Sequence, residues 1–176
     1  MKTILVAVDG SDHSNRAVEL AADIAVKYDA KLVLVHAIDS RPLTDGERRL
    51  AEAEYADRIG TRMADSGIVD SRATGPGGVG PIFKQYAETG LVIRTALGEG
   101  LLDGASQDAR ERGVTNVETL LENGEAADVV LDIAEKQKAN LIVIGSRGQG
   151  DLKSLLLGSV SHKVANRSDI NVITVK

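Results

Sequence analysis

The sequence predicts an α/β fold built on a parallel β-sheet. Two observations carry this. Short, continuous apolar runs (TILVAV at 3–8, KLVLVHAI at 31–38, LIVI at 141–144 and NVITV at 171–175) alternate with segments of helical period. Runs of that length, rich in β-branched residues, suit strands buried on both faces, as parallel sheets require. The core must also be aliphatic: 43% of the 176 residues are hydrophobic, yet there are only three Tyr, one Phe and no Trp. The length fits a single domain.

The elements follow in order. The first run ends at Asp9-Gly10-Ser11, a turn signal. Beyond it Ala17, Leu20, Ala21, Ile24, Ala25 and Tyr28 recur at steps of three and four, one helix face, with Ser14 or Ser11 as candidate cap. Strand, helix and strand within forty residues form a βαβ unit, so the first two strands run parallel. Residues 114–121 are a third strand, partly exposed at Asn116 and Glu118. Residues 125–138 form an amphipathic helix, 141–144 a fourth strand, 155–166 a helix in their later part, and 171–175 a fifth strand.

The middle reads differently. Residues 40–80 hold a polar helical stretch followed by a Gly-, Ser- and Pro-rich loop, an insertion or lid. Residues 81–112 resume helical spacing, but Gly90, Gly98, Gly100 and Gly104 interrupt it. At ~1 kcal/mol per interior glycine, a broken helix or two helices are expected, capped at Gly113.

Composition excludes several classes. Net charge is −5 with no basic run, which argues against a nucleic-acid groove. There is no cysteine, hence no disulfide or thiolate metal site. No stretch approaches the ~18 apolar residues of a membrane span. The first apolar run is too short for a signal peptide and lacks a cleavage site, so the expected location is the cytoplasm.

The strongest chemical signal is GSRGQGDLKSLLLGSV, directly after LIVI. Gly145, Gly148 and Gly158 are separated by two and then nine residues, and Ser159 follows. Glycine at a strand end permits a sharp turn and close approach of a ligand, while successive backbone N–H groups converge on an anion. Free N–H groups and the Ser159 hydroxyl near a helix start suit phosphate oxygens, and Arg147 adds a charge-assisted contact. On the residues alone, a tight turn at Gly145 and Gly148 with a packing glycine at Gly158 remains the alternative.

With ILVAVDGSDHSNRAVELA at the start, VLVHAID at the second strand and ANLIVIGSRGQGDLKSLLLGSVSHKV near the end, the chain resembles the universal stress protein family, of the ATP-binding type. The resemblance covers roughly 1–39 and 114–176, and more weakly 91–113. It implies a Rossmann-like sheet of five parallel strands in the order 3-2-1-4-5, helices on both faces, and a ligand at the switch point between strands one and four. It also implies that Ala7, Val8 and Asp9 close the first strand beside the nucleotide, with Asp9 near the ribose or a phosphate-bound metal. Ala37 would offer its backbone to adenine. Ile144, Gly145, Arg147 and Gly148 would line the phosphates, and Gly158, Ser159 and Val160 would complete the site. The cofactor expected is ATP, with Mg or Mn held through the phosphates and no protein metal site. For Asp9, a helix-capping role is the alternative. Where many relatives carry Cys-Pro-Val before the last strand, this chain has Asp169-Ile170-Asn171-Val172. The implied order makes the fifth strand a sheet edge, and an apolar edge predicts a homodimer.

Other signals are weaker. Gly75, Gly77 and Gly80 fit GxGxxG, but no strand precedes them, so a loop is expected. His36 reads as a satisfied core histidine, His13 lies in the loop after the first strand, and His162 is on a helix surface or interface. Glu47, Arg48, Arg49, Glu52 and Glu54 read as a solvated helix face. No catalytic residue can be assigned. The function expected is an ATP-binding regulatory, stress-response module with slow or no turnover; a slow ATPase or a nucleotidyl- or phosphotransferase is the alternative.

Overall fold

The structure, a computed structural model, describes residues 2–65, 79–148 and 157–176. They fall into two compact units, residues 1–39 with 100–176 and residues 40–99. Among the described residues no helix is long and apolar enough to cross a membrane.

The first unit is a sheet with helices on both faces. Strand β1 (Thr3–Ala7) leads through Gly10 into helix α1 (Asp12–Tyr28), which returns to β2 (Lys31–Ile38). Later come β3 (Val117–Asn123), helix α5 (Ala126–Lys136), β4 (Leu141–Gly145), helix α6 (Ser159–Arg167) and β5 (Asn171–Val175). All pairings are parallel and the strand order is β3-β2-β1-β4-β5, as expected. Alternation divides the core. Ile4, Val6, Leu32, Leu34, Leu141 and Val143 meet α1 and the C-terminal part of helix α4 (Val79–Glu111) on one face. Leu5, Val33, Val35, Ile142 and Ile144 meet α5 and α6 on the other. The central strands are therefore apolar on both faces through 4–6, 32–35 and 141–144, which is why these runs were continuous in the sequence.

Two elements differ from expectation. β3 lies at 117–123 rather than 114–121. It is a sheet edge, and half-exposed residues such as Glu118 blur its apolar signature. Glu118 pairs with Lys31 on β2, and Gln137 bonds to both. The expected break in 81–112 is absent: α4 is one helix of 33 residues that runs through Gly90, Gly98, Gly100 and Gly104. Burial of Ala96, Leu97, Leu102, Ala105 and Ala109 outweighs the glycines' cost. Gly113, at φ +102, does follow the helix end. Of the two cap candidates for α1, Ser11 is the cap: the helix starts at Asp12, and Ser11 Oγ accepts the Ser14 N–H at 3.2 Å.

The second unit holds α2 (Asp45–Glu54), α3 (Ala56–Asp65) and the N-terminal part of α4. Glu47 is not simply on a solvated face. It is the N3 residue of a capping box: Thr44 Oγ1 accepts the Glu47 N–H, and the Glu47 carboxylate accepts the Thr44 N–H at 2.7 Å. Arg41 grips the same carboxylate with both terminal nitrogens. Burial tends to raise the Glu47 pKa, but these hydrogen bonds from Arg41 and Thr44 outweigh it and hold the carboxyl below the ordinary glutamate range. Buried Arg94 donates to the Arg41 carbonyl, and Arg62 pairs with Glu99. Most of the loop expected up to 80, with Gly75 and Gly77, lies outside the described residues; Gly80 is already in α4.

Candidate functional site at the switch point

From β1 the chain moves outward through β2 to β3, and from β4 it moves the other way to β5. β1 and β4 are neighbours, and Ala7 is level with Val35 on one side and Ile144 on the other. The turns that leave these two strands therefore emerge side by side, at the crevice where open α/β sheets bind ligands.

The turn after β1 is fixed by side chains. Val8 is buried; its N–H donates to Val35 O at 2.8 Å, and His36 Nδ1 lies 2.6 Å from its carbonyl. A carbonyl only accepts, so Nδ1 carries the proton, and His36 is indeed a satisfied, half-buried histidine. Asp9 Oδ1 accepts the Ser11 N–H at 3.0 Å, an Asx-turn. Asp9 is thus two residues ahead of the helix cap, which is Ser11. Ser14, 1% exposed, receives the Asp9 N–H on its Oγ and donates that hydroxyl to Ala7 O. Gly10 has φ 77, a value that favours glycine.

The turn after β4 packs directly on the first. A Cβ at Gly145 would stand 2.8 Å from the Ser14 N and 2.9 Å from the His13 carbonyl carbon. Gly145 is therefore glycine because the α1 backbone crosses it there, whereas the sequence suggested room for a ligand. A Cβ at Gly148 would stand 2.5 Å from Asp9 Oδ2. Ser11 Oγ reaches Arg147 O at 3.3 Å. Gly148 is exposed and Arg147 half-exposed.

The far end of the motif returns to the same place. Gly158 donates its N–H to Ser146 O at 2.7 Å, and Ser161 Oγ donates to that carbonyl at 3.0 Å. Ser146 in turn donates its own N–H to Val175 O of β5. Gly158 is the N-cap of α6 and makes no side-chain cap; no acid occupies the helix's first turn. The leading N–H groups of a helix have no intrahelical acceptor, so those of Ser159 and Val160 are available to an anion. The Ser159 side chain is exposed there.

The structure thus gathers Ala7, Val8, Asp9, Ile144, Gly145, Arg147, Gly148, Gly158, Ser159 and Val160 around the ends of β1 and β4 and the start of α6. Ala37 is one strand further out, half-buried on β2 and in register with Glu122 of β3. Sequence reasoning missed Ser146 and Ser161 as parts of the site and gave Ser11 and Ser14 only as cap candidates. Among the described residues no group of three His, Cys, Asp or Glu side chains is placed to hold a metal ion. The phosphates of a nucleotide fit these donors: exposed glycine backbone, a helix start with no side-chain cap and no acid in its first turn, and Arg147 beside them. Asp9 is the carboxylate that borders Gly148.

Comparison with known proteins agrees with this architecture. The model of the universal stress protein family matches residues 1–176. The universal stress protein YxiE of Bacillus subtilis is 32% identical over 173 residues, covering 98% of this chain and 97% of its own. The universal stress protein UspA from Lactobacillus plantarum superposes with a TM-score of 0.68 at 19% identity, over 99% of this chain and 97% of that one. A universal stress protein solved in complex with cAMP superposes with a TM-score of 0.58 at 26% identity, over 99% of this chain and 95% of its own. The chain belongs to the universal stress protein family.

Proposed function

We propose that this protein binds an adenine nucleotide, ATP with Mg or Mn, at the C-terminal ends of β1 and β4, and acts as a regulatory module with slow or no turnover. The observation that carries the reading is the pairing of exposed Gly148 with the uncapped start of α6. The relative solved with cAMP, at 26% identity, supports an adenine ligand. Asp9 supports the cation: its carboxylate stands beside Gly148, where a divalent ion held by phosphate oxygens would meet it.

Binding without rapid turnover follows from what the site residues do. Fast phosphoryl transfer needs a positioned nucleophile and stabilisation of the charge that develops in transfer. Among the described residues, Asp9, Ser11 and Ser14 are engaged in holding the turns together. The same reading makes the protein a homodimer through β5, whose residues Asn171, Val172, Ile173, Thr174 and Val175 carry no charge. The opposite edge, β3, carries Glu118 and Glu122, which discourage strand pairing.

Thermal shift of nucleotide-free protein tests the proposal. Mg-ATP should stabilise by ~2.7 kcal/mol at a hundredfold excess over its dissociation constant, and AMP should do so less at equal concentration. No shift with any adenine nucleotide would reject it. Rapid steady-state hydrolysis would instead make the protein an enzyme.

A further inference from the structure

The two helices that start at the switch point are tied to their strands in the same way. Each has a buried serine as its third residue, Ser14 in α1 and Ser161 in α6, exposed by 1% and 2%. Each sends its hydroxyl back toward the strand it follows: Ser14 to Ala7 O, the last residue of β1, at 3.2 Å, and Ser161 to Ser146 O, one residue past β4, at 3.0 Å. The sequence distance differs greatly. Ser14 spans seven residues, whereas Ser161 spans fifteen, across the whole glycine motif.

Resting on the nucleotide-binding reading, we propose that Ser161 is a positioning residue for the phosphates. It touches no ligand in this role. Its hydroxyl is shared between Ser146 O and Gly158 O at 3.0 and 3.1 Å, the first residue beyond β4 and the cap of α6. Together with the Gly158 N–H to Ser146 O bond it ties the start of α6 to the end of β4. The closure is close-packed: a Cβ on Gly158 would already stand 3.4 Å from Ser146 O and 3.5 Å from the Arg147 Cα. The N–H groups of Ser159 and Val160 are thereby held at a fixed distance from Gly148 and Arg147. A polyphosphate that bridges both must find them together, and donors held in place lose less entropy when it binds.

Removing the hydroxyl leaves no orphaned carbonyl. Ser146 O keeps the Gly158 N–H, and Gly158 O keeps the His162 N–H at 3.0 Å. Ser161→Ala should therefore fold, with the tie between α6 and the end of β4 loosened. The test measures dissociation constants of AMP, Mg-ATP and adenosine by calorimetry for wild type, Ser161→Ala and the control Ser168→Ala. Ser168 Oγ bonds only around the turn to Ile170, between α6 and β5. The expected result is about tenfold weaker binding of AMP and Mg-ATP by Ser161→Ala, with adenosine binding and the Ser168→Ala variant unchanged. Equal weakening of adenosine and nucleotide would mark Ser161 as merely structural and overturn the proposal, as would unchanged nucleotide binding. If wild type binds AMP no better than adenosine, the phosphate site itself is rejected along with it.

Discussion

The Asp9 carboxylate occupies the space in which a side chain at position 148 would begin. A Cβ on Gly148 would lie 2.5 Å from Asp9 Oδ2, well inside contact distance. The other oxygen of that carboxylate is held by the Ser11 N–H, so the group has little freedom to retreat. Gly148→Val should displace Asp9, place a branched side chain on the exposed loop, and abolish nucleotide binding. Far-UV dichroism should stay native-like, because Gly148 lies outside the strands and helices. Normal ATP affinity in this variant would show that the phosphates do not approach Gly148.

Gly145 should behave in the opposite manner. The atoms that a Cβ would meet there are backbone of α1, which can yield only if the helix shifts on the sheet. Gly145→Ala is expected to destabilise the fold by ~1–3 kcal/mol through overpacking. Urea unfolding of the ligand-free protein measures this, and a midpoint equal to wild type would contradict the close approach of α1 and β4.

Gly104 is the test of the uninterrupted α4. It is exposed in the helix interior, and a Cβ there would meet nothing within 4 Å. Gly104→Ala should stabilise by ~0.5–1 kcal/mol, since alanine gains helix propensity with no clash. A loss of stability would mean that the chain breaks at this position, as the glycine pattern alone suggested.

The start of α2 should loosen in acid. The Glu47 pKa is lower in the folded chain than in the unfolded one, so the unfolded chain takes up the proton first as pH falls. The capping contribution is complete above the ordinary glutamate range and is lost as pH drops through the folded value. Hydrogen exchange at the amides of Thr44 and Glu47 reads this directly. Their protection should fall below the ordinary carboxylate range, and in Glu47→Ala it should be low at every pH. Protection that does not change with pH in wild type would remove the carboxylate from the cap.

β5 should carry the subunit contact. Light scattering at tens of micromolar is expected to give the mass of two chains. A strictly monomeric mass would leave the edge at 171–175 unpaired and reject the dimer.

How far the sequence revealed all this depended on where the information resides. β1, β2, β4 and β5 were legible almost to the residue because burial on both faces demands unbroken apolar runs. β3 was displaced by three residues because an edge strand answers to solvent as well as to the core. α4 was misjudged because a per-residue propensity was weighed without the burial that opposes it. At the site, Gly145, Gly148, Gly158 and Asp9 stood out by spacing and by resemblance. Ser146 and Ser161 did not, since a hydroxyl that joins residues fifteen positions apart leaves no periodic trace. The reason for Gly145 was likewise hidden, because the atoms that forbid a side chain belong to residues 13 and 14, far off in the chain.

Ser146 joins two neighbourhoods through a single peptide unit on either side. Its N–H is bound to the last residue of β5, and its carbonyl to the cap of α6. The edge that would meet a second subunit and the helix start that would meet phosphate therefore share one anchor. Thermodynamic linkage makes the consequence symmetrical: whatever factor bound nucleotide adds to the association of two chains, association must return to nucleotide affinity. In a cell this would make the dimer fraction a readout of nucleotide concentration.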